Sequence, residues 1–123
     1  MFANLRGNAT EIDSQKLSKS LENVLAEGEF VERAFKLFRD MFVFTNKRLI
    51  LIDKQGLTGV KVEYASIPYK SIIRFTVETA GNFDSDSEMK IWISGSAAPI
   101  EKEFKKGTDI VGVQRTLATY ILK

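Results

Sequence analysis

The carboxylates and amides between residues 82 and 88 are the first place where this sequence could do chemistry. Asn82, Asp84, Asp86 and Glu88 alternate like the early ligands of a calcium-binding loop. Such a loop takes Gly at its sixth position and a bidentate Glu at its twelfth. Counted from Asn82, those positions hold Ser87 and Ile93, so the stretch reads as a polar hairpin loop. The overlapping Ser87, Glu88, Met89 and Lys90 spell S-x-x-K, which sets a nucleophilic Ser beside a Lys when it lies on a helix. Here it leads into an alternating strand, where residues three apart point to opposite faces. The chain has no Cys and no His, which removes thiolate chemistry, the usual general base and the commonest zinc ligand. No catalytic constellation, cofactor motif or metal-ligand set follows from these residues. A protein that is not an enzyme is the expectation.

Two other groups concern binding. Thr45, Asn46, Lys47 and Arg48 put two adjacent cations on one turn, where a solvated loop is the simpler explanation. Trp92 shares a strand face with Glu88, Lys90 and Ser94, opposite Met89, Ile91 and Ile93. A Trp so placed either lies across its neighbours' aliphatic stems or anchors an interface, where Trp is enriched.

The elements that must position these residues are organised around residues 40–56, DMFVFTNKRLILIDKQG. Two apolar runs, 41–44 and 49–52, flank the polar segment 45–48, and Asn46 tolerates the positive φ that tight turns often need. This is a β-hairpin. Both runs are apolar on both faces: Leu49 and Leu51 point one way, Ile50 and Ile52 the other. A half-solvated antiparallel strand alternates instead, so both sides of this hairpin need a cover.

Residues 1–10 carry little pattern and read as a loose arm. Leu17, Leu21, Val24 and Leu25 share one helical face, predicting an N-terminal helix over 12–27 with Asp13 or Ser14 as cap and Gly28 as stop. Residues 30–105 read as successive short strands with turns between them and no interleaved helix, which means antiparallel sheet. In the first, Val31, Phe35 and Leu37 share a face that Arg33 breaks; later, Ser71, Ile73, Phe75 and Val77 share another. Ile110, Val113, Leu117, Tyr120 and Ile121 then line one face of a helix over 108–122, capped by Thr108 or Asp109. The fold class is mainly β: an open barrel of about seven antiparallel strands, a C-terminal amphipathic helix as its plug, and an N-terminal helix.

The 123 residues suit a single domain with a real core. Lys plus Arg number 18 and Asp plus Glu 16, so the net charge of 18 − 16 = +2 is too weak to call for nucleic acid or an anionic membrane. No apolar run approaches a membrane span, and the start lacks the pattern of a signal peptide. A cytoplasmic location is expected.

The phrases FTNKRLILIDKQG, YASIPYKSI and IWISGS resemble the bacterial pleckstrin-homology (PH) domain family, short stand-alone proteins long carried as a domain of unknown function. The resemblance runs from about Ile12 to Leu122. It implies a PH-like barrel, no established enzymatic activity and self-assembly into rings; it carries over no catalytic residue and no ligand. The leading expectation is therefore a non-enzymatic interaction or scaffold module whose partner is itself, in a closed homo-oligomer. The alternative is a peripheral membrane domain that binds a lipid headgroup. Eukaryotic PH domains do so with clustered Lys and Arg around the first strand-to-strand loop. Here that loop is Phe38, Arg39, Asp40, one cation beside one acid. Assembly turns on the outer face of the hairpin. If the helix over 12–27 covers Ile50 and Ile52, the subunit is complete and Trp92 is incidental. If a neighbouring subunit covers them, Trp92, Ile50 and Ile52 form the interface, and this second case is the expectation.

Overall fold

The computed structural model describes residues 12–37, 40–55, 61–79 and 86–122. The predicted N-terminal arm, the loop residues Phe38 and Arg39 and the turn glycines Gly56 and Gly59 lie outside them. Within them the order is α1 (Ser14–Ser20), β1 (Val31–Lys36), β2 (Asp40–Thr45), β3 (Arg48–Gln55), β4 (Lys61–Pro68), a 3-10 turn (Tyr69–Ser71), β5 (Ile72–Glu78), β6 (Ser87–Ile93), β7 (Ile100–Phe104) and α2 (Ile110–Ile121). β1 to β4 form one sheet in sequence order and β5 to β7 a second, with every pairing antiparallel.

The hairpin of β2 and β3 separates two cores. Phe42, Phe44, Leu49 and Leu51 point inward and pack with Met89, Ile91 and Phe104 of the second sheet and with Ile110, Val113 and Leu117 of α2. α2 is thus the plug its periodicity predicts. Asp109 caps it by accepting the Gly112 N–H at 2.9 Å, and a Cβ at Gly112 would collide with that carboxylate. Behind it, Tyr120 stacks on Tyr69 with centroids 4.4 Å apart and lies parallel to Phe44.

The opposite face of the hairpin carries Val43, Ile50 and Ile52, which pack with Val31, Ala34, Leu17 and Leu21. Ile50 is wholly buried and Ile52 is 6% exposed. The chain's own N-terminal segment supplies this cover. The expectation that a neighbour covers Ile50 and Ile52 is therefore corrected: Leu17 and Leu21, with Val24 and Leu25 at the margin, satisfy that face within one subunit.

Two irregularities change which side chains face out. A β-bulge between Val31 and Arg33 inserts one residue and flips the alternation upstream of it. Val31 consequently joins Ala34 under α1 instead of sharing a face with Phe35, and Arg33 donates to Thr116 of α2 at 3.2 Å. A second bulge between Ile72 and Arg74 buries Ile72 and turns Ile73 outward, 66% exposed. α1 is also shorter than predicted. After Leu21 the backbone tightens into turns, because the Val24 carbonyl is taken by Arg48 and the Ala26 N–H by Glu29.

Candidate interaction surface

The turn at residues 45–48 is where the sequence concentrates adjacent cations, and the fold commits one of them internally. Arg48 Nε and Nη2 donate to Glu29 Oε2 and Oε1 at 2.8 and 2.9 Å, a bidentate pair. Arg48 also donates to the Val24 carbonyl at 2.8 Å and the Ser66 hydroxyl at 2.6 Å. The Glu29 side chain is 1% exposed. It accepts from the Ala26 N–H at 2.8 Å and the Thr45 hydroxyl at 2.6 Å as well. Burial pushes its pKa up, but Arg48, Ala26 and Thr45 outweigh that and hold it down, from 4.5 to about 2. Asn46 completes the clasp through its side chain, accepting from the Phe30 N–H and donating to the Gly28 carbonyl. Among the described residues only glycines have positive φ, so Asn46 serves by hydrogen bonding rather than by backbone freedom. Arg48 is thus spent on holding residues 24–30 against the hairpin, and Lys47 is the exposed cation of the turn.

No spacing marks Glu29 in the sequence. Glu27 and Glu29 flank the same glycine, and only the fold carries one of them under the turn. A cation between two strand-length apolar runs was the available signal that some acid must lie nearby.

A second polar group bridges the sheets. Asp40 of β2 faces Asp53 of β3 and accepts from Lys102 of β7 at 3.0 Å. Burial and the hydrogen bond with Asp53 raise the Asp40 pKa against the opposing pull of Lys102. Glu63 continues the row on β4, opposite Asp53.

Of the acidic segment, Asp86, Ser87 and Glu88 are among the described residues. Asn82 and Asp84 lie outside the described residues. Asp86 accepts the Lys106 N–H at 2.9 Å, and Glu88 lies between Glu78 and Glu103 on the outer face of the second sheet. Ser87 is buried and pairs across from Phe104, whereas Lys90 pairs with Glu101, so the S-x-x-K residues point apart as strand geometry requires. Among the described residues no group of three or more Asp or Glu is placed to hold a metal.

Trp92 stands on the outer face of the second sheet. Its cross-strand partner Arg74 lies over its ring at 4.3 Å, a cation–π contact that covers part of the indole. Ile73, turned out by the bulge, precedes that arginine. The structure brings Trp92 together with neither Ile50 nor Ile52, which belong to the separate cluster under α1. At the margin of the first sheet, Val62 and Tyr64 on β4 are 38% and 46% exposed, beyond the reach of α1.

Comparison with known proteins completes the description. The family model described as bacterial PH domain matches residues 1–121. A Bacillus subtilis protein, uncharacterized protein YjqA, is 58% identical over 93% of this chain and 92% of its own. A second from the same organism, uncharacterized protein YozO, is 38% identical over 85% of this chain and 89% of its own. Among solved structures, a pleckstrin homology domain from Shewanella amazonensis superposes with a TM-score of 0.87 at 58% identity, covering 94% of each chain. A DUF1696 family protein with a pleckstrin-homology domain from Shewanella loihica gives 0.79 at 55% identity, over 94% of this chain and 99% of that one.

Proposed function

This chain belongs to the bacterial PH domain family, and we propose that it is a non-catalytic interaction module of the cytoplasm that assembles with copies of itself into a closed ring. One observation supports this reading above others. The bulge in β5 places Ile73 on the outer face of the second sheet, 66% exposed, next to the stacked Arg74 and Trp92. A regular strand would have buried that isoleucine, and neither helix packs over it. An apolar side chain held out beside a partly covered indole suits an interface anchor. Such a patch meeting a different surface on the next copy gives a heterologous contact, which closes into a ring when the rotation permits.

Light scattering of the purified protein at micromolar concentration tests the reading. A mass of several subunits is expected, and I73K or W92K should reduce it while circular dichroism still reports a folded β-rich domain. A monomeric parent would refute the assembly. Full assembly in both variants would refute the role of this face. The alternative, a headgroup-binding domain, would instead show salt-sensitive sedimentation with anionic liposomes.

A further inference from the structure

We infer that β5 carries a second, two-fold contact, in which two copies pair antiparallel about Thr76 and join their second sheets edge to edge. β5 is an edge of that sheet, and no described strand or helix runs along its other side. Its bulge lies at one end, between Ile72 and Arg74. From Arg74 to Glu78 the strand pairs with β6 at consecutive positions, so this stretch is regular and lies wholly among the described residues. An edge with unpaired N–H and C=O groups is a template for another strand. Phe75 and Val77, on its inner face, are only partly buried by the subunit's own core. The β1 edge is capped instead, with the Ile12 N–H donating to the Ala34 carbonyl at 2.9 Å and Ser18 accepting the Val31 N–H. On β7, a self-pair about Lys102 would oppose Glu101 to Glu103.

Charge selects a second copy as the added strand and sets the register. Glu103, Glu88 and Glu78 form a row of carboxylates across the outer face of β7, β6 and β5. Lys105 supplies a cation at the Glu103 end, 3.4 Å away. Among the described residues no cation pairs with Glu78, and Arg74, stacked on Trp92, pairs with no carboxylate. An antiparallel copy centred on Thr76 puts its Arg74 opposite Glu78 and, by symmetry, its Glu78 opposite Arg74. Two ion pairs then flank the axis, and each acidic row gains a cation at its open end. Thr76 meets Thr76 between them, and on the inner face Phe75 lies opposite Val77, which removes both from the water that still reaches them. Centring on Arg74 or Glu78 would oppose that charge to itself. Centring on Phe75 would face Arg74 with Thr76 and leave Glu78 without a cation, and centring on Val77 would face Glu78 with Thr76. In a closed ring the β5 edges of all subunits are equivalent, so a two-fold contact joins two rings face to face.

This contact rests on the self-association proposed above but uses the strand edge rather than the outer face. Arg74 borders both, so the test uses Thr76 and Glu78, and the two contacts fail separately. The chain has no native cysteine, which makes disulfide trapping in the full-length protein clean. Directly opposed residues of an antiparallel pair have Cα atoms about 4.5–5.5 Å apart, within the reach of a disulfide. T76C should therefore become mostly covalent dimer under mild oxidation. E78C, at a more exposed position, should not, because its two copies would lie about 14 Å apart along the strands. E78R sets arginine against arginine on both sides of the axis and should lower the mass from light scattering to about half the parent's, that of a single ring. An oligomeric parent in which T76C stays uncross-linked, or E78C cross-links instead, overturns the β5 contact alone. An unchanged mass for E78R overturns the register. A monomeric parent overturns both contacts.

Discussion

Glu29 and Arg48 meet through two parallel hydrogen bonds of 2.8 and 2.9 Å, and this contact, with the Asn46 bonds to Gly28 and Phe30, ties the segment behind α1 to the central hairpin. Glu29 has a folded pKa below its ordinary value, so its stabilisation is fully present above about pH 4.5 and is lost as the pH falls towards 2. The fall from 4.5 to about 2 corresponds to about 3 kcal/mol. Glu29→Ala leaves a partly buried guanidinium without its carboxylate and should cost about 3–5 kcal/mol. Glu29→Gln should flatten the acid limb of stability. Urea melts of the three proteins between pH 2 and 7 check this; parallel acid limbs in parent and Glu29→Gln would contradict it.

Asp40 behaves in the opposite sense. Its folded pKa is raised by burial and by Asp53, so the stability it contributes is present at low pH and is lost as the pH rises through the folded value. Asp53→Asn removes the competing carboxylate and leaves the Lys102 contact in place. The variant should melt higher than the parent at pH 7, and the difference should shrink as the solution is acidified towards the ordinary Asp value of 3.8. An unchanged melting temperature at both pH values would refute the coupling.

The N-terminal segment is a structural cover. Leu21 is 6% exposed against Ala34, Val43, Ile50 and Ile52. Leu21→Ala should cost about 2–5 kcal/mol by leaving a cavity under α1. Leu21→Asp should expose the outer face of the hairpin, seen as dye binding and loss of solubility. A fully stable Leu21→Asp would mean that this face tolerates solvent.

Truncation before Thr108 strips Ile110, Val113 and Leu117 from the inner core. At about 1.5–3 kcal/mol for each buried side chain the loss is about 4.5–9 kcal/mol, comparable to the stability of a small domain. The truncated protein should be insoluble or molten by near-ultraviolet circular dichroism. A cooperative melt near the parent's would overturn the role of α2 as plug.

Tyr69 offers a smaller test of the same region. Its hydroxyl donates to the Thr45 carbonyl at 2.7 Å while its ring stacks on Tyr120. Tyr69→Phe keeps the stack and loses the hydrogen bond, with an expected cost of about 1 kcal/mol by thermal or urea melting. No change would assign the whole contribution to the rings.

Periodicity along the chain determined the mainly β class, the antiparallel pairing, the closing helix and the two-faced hairpin, because each is a repeat that neighbouring residues write together. Val113 and Leu117 as core and the opposed faces of Ser87 and Lys90 follow from spacing alone, whereas spacing left the cap of α2 between Thr108 and Asp109 and the structure chose Asp109. Features set by residues far apart in sequence were decided only in three dimensions. Whether Ile50 and Ile52 meet α1 or a neighbouring subunit depends on where the segment before β1 lands, and the link between Glu29 and Arg48 fixes that across 19 positions. The bulges at Val31/Arg33 and Ile72/Arg74 depend on register with the partner strand, so simple alternation misassigned Val31 and Ile73. Trp92 was legible as a residue out of place on a polar face. That Arg74 would lie across it was not, because the pairing of β5 with β6 spans a loop whose length sets no register.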